Sequence, residues 1–581
     1  MRRWISVLGI VFGCALQAAP ETSIVVEMPA YQVRADRILP IPETWRHVSV
    51  PALVLERGKS VLVAPGYYVL SNLSEQNTRL FINELQLRQF AGTLLWPMLV
   101  QMQPRRPAVV ILDGSRGAGE DWRLPDGAAW EGDPIKTGVQ PGSVSTSGLT
   151  TGLQWLSSAQ GFSTSLHIDV AGDGTTRVDD GEDWDKPLPA GFVYAAMRGD
   201  QVAAWVNAGN PLADVSRPQE EKLAASVSQE QVALALNSFS RPPPAWFLLG
   251  MKWLIASTEV SRTRITFARI NVSVPTETRS DISTNAQTLI DGGVPPPPTV
   301  STRVAPVSIH LSSLLPMLKK NGEFEFEETQ VASALVHYGL YGDNGKHRQK
   351  LMSLVERQSA GEELTEALFK EVFGFDTKKM LSKLSVYIRT FAAYKHHELR
   401  GKIPPMPEIG VSQATQAEAA RLQAEAFIAL GRPDLALDKL RIAYWRGERE
   451  PEMLAVLALL EQRAGSEARA RKIVQTLMKL PRPPLRARIV AAKLRLQDAL
   501  SARPEGAKLS MDETVEIMGM LSVALSQGVP DEDVCETFAR VMSSSPAQPP
   551  PNVIDFLKKA AARYSNNSVI VGAARLAGAS P

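Results

Sequence analysis

Four consecutive prolines, Pro295 to Pro298, sit inside a stretch from 273 to 305 that holds no sustained hydrophobic periodicity, and the chain reads differently on its two sides. Proline fixes φ and lacks a backbone donor, so such a run is a stiff extended spacer and belongs to neither a sheet nor a helix. Before it, apolar and polar residues alternate over short runs broken by Pro and Gly, the period of strands. After it, apolar residues recur every three or four positions, the period of helices. The pattern predicts an α/β (α+β) N-terminal domain, a Pro-rich linker over 273–305 and an all-α C-terminal half. At 581 residues the chain is long enough for several cores, since one domain takes roughly 100–200 residues.

The first residues read as an export signal. Arg2 and Arg3 precede an apolar run from Trp4 to Leu16, followed by the small residues Ala18 and Ala19, which makes 1–19 a signal peptide and places the protein in the periplasm, at the cell surface or outside the cell. Val11-Phe12-Gly13-Cys14 also resembles a bacterial lipobox, so a lipid anchor at Cys14 is the one membrane attachment expected. No later apolar run approaches the roughly 20 residues that span a bilayer. Cys535 is the only other cysteine, so neither a disulfide framework nor a Cys-based zinc site can be built within the chain. A net charge of +2, with 44% hydrophobic and 21% charged residues, lacks the basic excess of nucleic-acid binders.

Residues 20–65 alternate as short strands. From 66 to 272 a larger α/β domain is expected. Tyr67–Asn72 reads as a strand leading into a helix from Ser74 to Leu95, and Pro107–Leu112 reads as a buried strand, giving β-α-β. Residues 113–189 are rich in turn residues, 190–206 return to strands, and 218–238 form a helix with Leu223, Val227, Glu230 and Leu234 on one face. Pro242 to Pro244 stop that helix and start the next, and 262–272 is a strand. Beyond the linker, helices are expected at 308–319, 327–341, 346–358, 363–373 and 376–394, the subdomain 306–400. From 411 to 581, Ala417–Tyr444 and Pro451–Leu480 are helix pairs with Gly431 and Gly465 at their turns. Those glycines lie 34 positions apart, the period of tetratricopeptide-like repeats. Stacked pairs of this kind present a concave face, which predicts a protein partner for 411–581.

Three segments carry a family resemblance. Tyr67–Pro97, the elbow Ser226–Val260 and Glu328–Asp376 together resemble the secreted bacterial peptidase-MA-like, gluzincin-type family, in which helical repeats commonly follow the peptidase domain. That family places zinc ligands on H-E-x-x-H and on a glutamate in a W-L-N-E-G-x-A run. The corresponding positions here are Gln229-Glu230-Gln231-Val232-Ala233 and Trp246-Phe247-Leu248-Leu249-Gly250-Met251-Lys252. The resemblance therefore implies a gluzincin-like fold with a degenerate site at Gln229, Glu230, Ala233 and Leu249. Zinc needs imidazole or carboxylate donors, and neither alanine nor leucine supplies one. Without zinc, Glu230 has no metal-bound water to activate. None of the seven histidines lies between 168 and 309.

Other motifs are weaker. His397-Glu398 lacks a second histidine three residues on, and KHHELRGK reads as a helix end. His337 on an apolar helix reads as a core histidine. Asp169, Asp173 and Asp180 fit part of a calcium loop, but Asp-Gly between alternating runs is also a hairpin turn signal, so both readings stay open. Arg469, Arg471, Lys472, Arg482, Arg486 and Arg488 form a basic run without aromatics, read as a charged helix face. The expectation is a non-catalytic, exported binding or scaffold protein of the cell envelope on an inactive metallopeptidase-like fold, needing no cofactor. Two alternatives stand beside it. One is a zinc peptidase with a rearranged site around Glu230, drawing on His167 or His310; the other is a calcium-dependent surface protein.

Overall fold

The structure is a computed structural model. It describes residues 31–32, 44–57, 60–96, 107–114, 129–130, 168–170, 176–178, 193–198, 201–207, 224, 227–228, 243–256, 258–261, 263–267, 313–320, 324, 326–390, 395–398, 403, 406, 409–430, 433–504, 506–526, 532–564 and 567–578. In chain order the strands are β1 (Tyr31–Gln32), β2 (Arg46–Val50), β3 (Leu53–Arg57), β4 (Ser60–Ala64), β5 (Tyr67–Ser71), β6 (Ala108–Asp113), β7 (Ala129–Trp130), β8 (Ile168–Val170), β9 (Thr176–Val178), β10 (Val193–Arg198), β11 (Gln201–Asn207), β12 (Glu259–Val260), β13 (Arg264–Phe267), β14 (Lys395–Glu398) and β15 (Ser412–Gln413). The helices before residue 400 are α1 (Glu75–Leu95), α2 (Ala245–Ala256), α3 (Leu314–Lys319), α4 (Phe326–Tyr341), α5 (Arg348–Ser359), α6 (Glu366–Phe373) and α7 (Thr377–Thr390). After it come α8 (Gln416–Ala429), α9 (Pro433–Trp445), α10 (Pro451–Arg463), α11 (Glu467–Leu477), α12 (Leu485–Ser501), α13 (Met511–Ser526), α14 (Glu532–Ser544), α15 (Pro551–Arg563) and α16 (Ser568–Leu576). A mixed α/β N-terminal region is thus followed by a largely helical C-terminal half.

The central sheet runs in the order β10-β11-β6-β5-β2-β15. β5, β6 and β11 are parallel, and the outer strands are antiparallel to their neighbours. The β5-α1-β6 crossover is the β-α-β unit expected from the sequence. Ser74 caps α1 by accepting from the Asn77 N–H at 3.2 Å, which satisfies one of the donors that a helix start leaves orphaned.

Alternation along these strands separates two apolar faces. Tyr67, Val69, Val110, Leu112, Ala204 and Val206 point one way, to Phe81, Ile82 and Leu85 of α1 and to the helical residues Ala224 and Val227. Leu70, Val109, Ile111, Ala203 and Trp205 point the other way and pack on α8. The Trp205 and Phe427 rings stack with centroids 5.0 Å apart. Every residue of β6 is buried, as a strand covered on both sides requires. The chain reaches the second face by adding β15 to the β2 edge, pairing Ser412 with His47, while the Ala414 N–H donates to the Trp45 carbonyl at 2.9 Å. His47 Nδ1 then lies 2.7 Å from Glu418 Oε1, tying β2 to α8.

A second cluster joins α2 through α7, and a third is built by α12 through α16. The helix pairs α8/α9 and α10/α11 form where the repeat pattern places them, with Gly465 left-handed (φ 79°) and Gly431 outside the described residues. In α10 all residues from Met453 to Leu460 are buried, because neighbours cover it on every side. One expectation fails. The KHHE segment is the strand β14, pairing His397 with Ile265 and His396 with Thr266, so tertiary pairing with β13 overrides the local helical tendency.

Removing a large side chain from the α8–sheet seam leaves a cavity, and Phe→Ala in a core costs about 3–5 kcal/mol. Phe427→Ala is therefore expected to lower the urea midpoint of the N-terminal core as well as that of the helices, measured by Trp fluorescence and circular dichroism. A chain ending before residue 411 should not remain soluble, since five apolar side chains of the sheet lose their cover.

Candidate functional site

Of the first helix of the elbow that carries the family resemblance, only Val227 and Ser228 fall within the described residues, whereas the second is described throughout. Gln229, Glu230 and Ala233 lie outside the described residues. In α2, Trp246, Phe247, Leu248, Leu249, Met251, Leu254 and Ile255 are all buried. Two waiting helical donors, the N–H groups of Phe247 and Leu248, are met by the Pro244 carbonyl at 2.9 and 3.2 Å. Trp246 is fully buried, and its indole N–H donates to Gln358 Oε1 at 3.0 Å, so the polar edge of the ring is satisfied by α5.

Leu249, at the place of the third zinc ligand in the resemblance, is 5% exposed in an apolar cluster with Val331, Leu335 and Val336 of α4. The two helices cross at Gly250. A Cβ there would stand 2.8 Å from the Ala332 carbonyl oxygen and 2.5 Å from Val336 Cγ2, so only glycine permits the approach. Lys252, one turn on, is 3% exposed and is the one ionisable side chain of α2.

A denser polar constellation, of which the sequence reading singles out only His337, lies at the end of α4. His337 is fully buried, as expected of a core histidine, and its Nδ1 is 2.8 Å from the Tyr387 hydroxyl on α7. The His337 ring meets Tyr341 edge-on at 5.4 Å, and the Tyr341 hydroxyl accepts from the Trp96 indole N–H at 3.1 Å. Tyr387 packs edge-on against Tyr338 at 5.0 Å. The Tyr338 hydroxyl reaches His347 Nε2 at 3.1 Å and Asp343 Oδ2 at 3.2 Å, and His347 Nε2 is 3.0 Å from the same carboxylate oxygen.

These contacts surround a turn, Gly342–Gly345, in which Asp343 (φ 47°) and Asn344 (φ 58°) are left-handed. Side-chain crowding disfavours that region for residues other than glycine, by roughly 1–2 kcal/mol each, less for Asn and Asp. A Cβ at Gly342 would meet the Tyr338 ring at 2.4 Å, so ring and backbone are already in contact there. The Asp343–His347–Tyr338 bonds oppose the strain. The sequence signal that could have found the constellation is His337, Tyr338 and Tyr341 on one helix immediately before a Gly-Asp-Asn-Gly turn.

Burial pushes the Tyr338 phenol up to about 12, with the Asp343 carboxylate adding to it. Burial also raises Tyr387, helped by Tyr338 and Asp343, and raises Tyr341 against the opposing Trp96 bond. The three phenols keep their protons near neutral pH and act in the hydrogen bonds described above. Asp343 is held below the usual carboxylate range, chiefly by its bond to His347. Asp343 and His347 are two donors, and among the described residues no group of three or more His, Cys, Asp or Glu comes together to hold a metal ion.

The remaining motifs are placed as follows. Asp169 lies in β8, opposite Arg177 of β9 in the antiparallel register of the expected hairpin, while Asp173 and Asp180 lie outside the described residues. Within the basic run, Arg469 is bound to Glu461, Arg471 to Asp498 and Arg486 to Glu425, so these three cations serve internal ion pairs. Lys472 and Arg482 are exposed. Comparison with protein-family models, with curated proteins and with solved structures finds no match to this chain.

Two outcomes are expected here. Gly250→Val forces α2 off α4 and should cost about 1–3 kcal/mol in chemical denaturation. For Tyr338 the folded pKa lies above the unfolded value of 10, so its stabilising effect is complete below pH 10 and is lost as pH rises towards about 12. Urea midpoints measured from pH 9 to pH 12 should fall across that window, and Tyr338→Phe should flatten part of the fall.

Proposed function

We propose that this chain is a non-catalytic, exported binding or scaffold protein, built on a gluzincin-like N-terminal fold that has lost its zinc site and on a tetratricopeptide-like helical array that meets a protein partner. The observation that carries the reading is the position of Leu249, enclosed by apolar side chains where the resemblance asks for a metal-binding carboxylate. A dry apolar neighbourhood strongly disfavours a bare Zn²⁺ ion, whose charge needs coordinating donors. Helix pairs with small-residue contacts support the second half of the reading, since arrays of this kind bind along an extended surface. Envelope location and the absence of a required cofactor follow from the N-terminal signal and from the missing donors.

Two measurements test it. The purified full chain should contain no stoichiometric zinc and should leave casein and peptide mixtures uncut, with Glu230→Gln behaving as wild type. Stoichiometric zinc with cleavage abolished by Glu230→Gln would overturn the proposal in favour of a rearranged peptidase site. Because α8 also covers the sheet, the binding face is better mapped in the intact protein than by deletion. Photo-crosslinking residues placed at Trp445, Lys472 and Arg482 should trap a discrete protein in the native envelope. Adducts arising only from Val54 and Leu80, on the N-terminal region, would move the partner away from the array.

A further inference from the structure

Ion pairing is uneven over the molecule. In the array, Arg463, Arg469, Arg471 and Lys493 each meet a carboxylate. A different arrangement holds at the corner where the Gly342–Gly345 turn and the start of α5 meet the start of α7. Segments 342–350 and 374–383 carry six cations, Lys346, Arg348, Lys350, Lys378, Lys379 and Lys383, against two carboxylates, Asp343 and Asp376. These segments therefore hold a net charge of +4, while the whole chain carries +2. Their contacts make them one patch. The Lys383 ammonium lies 5.4 Å above the Phe375 ring and is near enough to Asp343 to help hold its carboxyl down, and Lys350 donates to the Phe373 carbonyl at 2.9 Å.

Both carboxylates are engaged inside the fold. Asp343 takes His347 and Tyr338, and Asp376 Oδ1 accepts from the Lys379 N–H at 2.8 Å at the start of α7. Among the described residues, none of the six cations enters an ion pair. Lys346, Arg348, Lys378 and Lys379 are exposed. Lys379, Ser382, Lys383 and Val386 recur at intervals of three and four, so they share the outer face of α7, away from the buried Met380, Leu384 and Tyr387. Val386 is 49% exposed, an apolar side chain set beside the lysines.

We propose that this corner rests on an acidic phospholipid bilayer, with the lysine ammoniums among the headgroup phosphates and Val386 at the top of the acyl region. Two features favour a bilayer over an acidic protein. Five of the six cations are lysines, which protein interfaces deplete in favour of arginine, and whose point charges on flexible stems suit a surface of mobile phosphates. The same helix face also carries an apolar side chain among its cations, the composition with which a helix lies in the headgroup boundary. This attachment uses residues other than those of the array, and it adds to the lipid anchor expected at Cys14.

Co-sedimentation of the full chain with vesicles tests this. The apolar run near the N-terminus is present in every arm, so its contribution cancels. The chain should bind phosphatidylcholine vesicles containing phosphatidylglycerol more tightly than pure phosphatidylcholine, and the difference should vanish at high salt as the charges are screened. Each lysine near such a surface strengthens binding roughly fivefold, so Lys346→Gln, Lys378→Gln and Lys379→Gln together should weaken it about a hundredfold. The melting temperature should stay at the wild-type value, because all three side chains are exposed. Lys472→Gln, Lys479→Gln and Arg482→Gln remove the same charge from exposed positions of the array and should leave binding near wild type. Val386→Ser should weaken it severalfold. Equal binding to the two kinds of vesicle, binding to neither, or equal losses from the two triple variants would overturn the proposal. Soluble polyglutamate that displaces the chain from acidic vesicles and is held more tightly than they are would overturn it in favour of an acidic protein.

Discussion

The fold depends on how the second face of the central sheet is covered. β6 and β11 carry apolar residues on both sides, so the sheet needs two layers, and among the described residues the segment from β2 to β11 supplies helical cover on one side, through α1. The other is α8, which enters after more than two hundred further residues and lays Phe427 on Trp205. Burying such a surface stabilises a fold by roughly 25 cal/mol per Å² of apolar area. The helical array is therefore more than an appendage to a finished domain. Its first helix is a structural layer of the N-terminal core, and β15 fixes its entry through backbone pairing at the β2 edge.

Helix α1 does the corresponding work on the other side. Its inner face covers the sheet, and its later turns reach the cluster of α2 through α7. Arg88 donates to the Thr258 carbonyl at 2.9 Å, Gln89 to the Pro65 carbonyl at 2.6 Å, and Trp96 to the Tyr341 hydroxyl at 3.1 Å. The last contact joins α1 to the aromatic constellation at the end of α4. The left-handed turn at Asp343 and Asn344 persists because those surroundings over-determine it: the Asp343 carboxylate is bound by His347 and Tyr338, while Gly342 is pressed against the Tyr338 ring.

Period and turn chemistry made much of this legible. The β5-α1-β6 unit, the β10-β11 and β8-β9 hairpins and the boundaries of most helices follow from local patterns, because each is set by residues close in sequence. What was not legible is non-local. KHHE gives no local reason to be a strand, and becomes one only because β13 offers it an edge. The small residues of α8 suggest a helix packed closely, but not that the partner is a sheet. At the candidate site, the missing ligand types could be read directly from Gln229, Ala233 and Leu249, whereas the Tyr338–Asp343–His347 cluster depends on how a strained turn folds back on its own helix. Only Leu249 among those expected site positions is placed by the described residues, and its neighbours are apolar.

The charges of the array serve its internal packing more than its surface. The run of arginines and lysines from 469 to 488 reads as a charged helix face, yet Glu461, fully buried, accepts from Arg441 at 2.8 and 2.9 Å and from Arg469 at 3.0 Å. Two guanidiniums around one carboxylate hold α9, α10 and α11 in a fixed register, since an ion left unpaired in that interior would cost several kcal/mol. Arg486 reaches back to Glu425 on α8 at 2.8 Å, and Arg463 and Lys493 share Asp533 on α14, each at 2.7 Å. These cations bind helices of the array to one another, including pairs distant in sequence, so its outward-facing charge is smaller than its sequence implies. Trp445, Lys472 and Arg482 are among the side chains that remain exposed, so the surface of the array has an apolar component that the arginine count conceals.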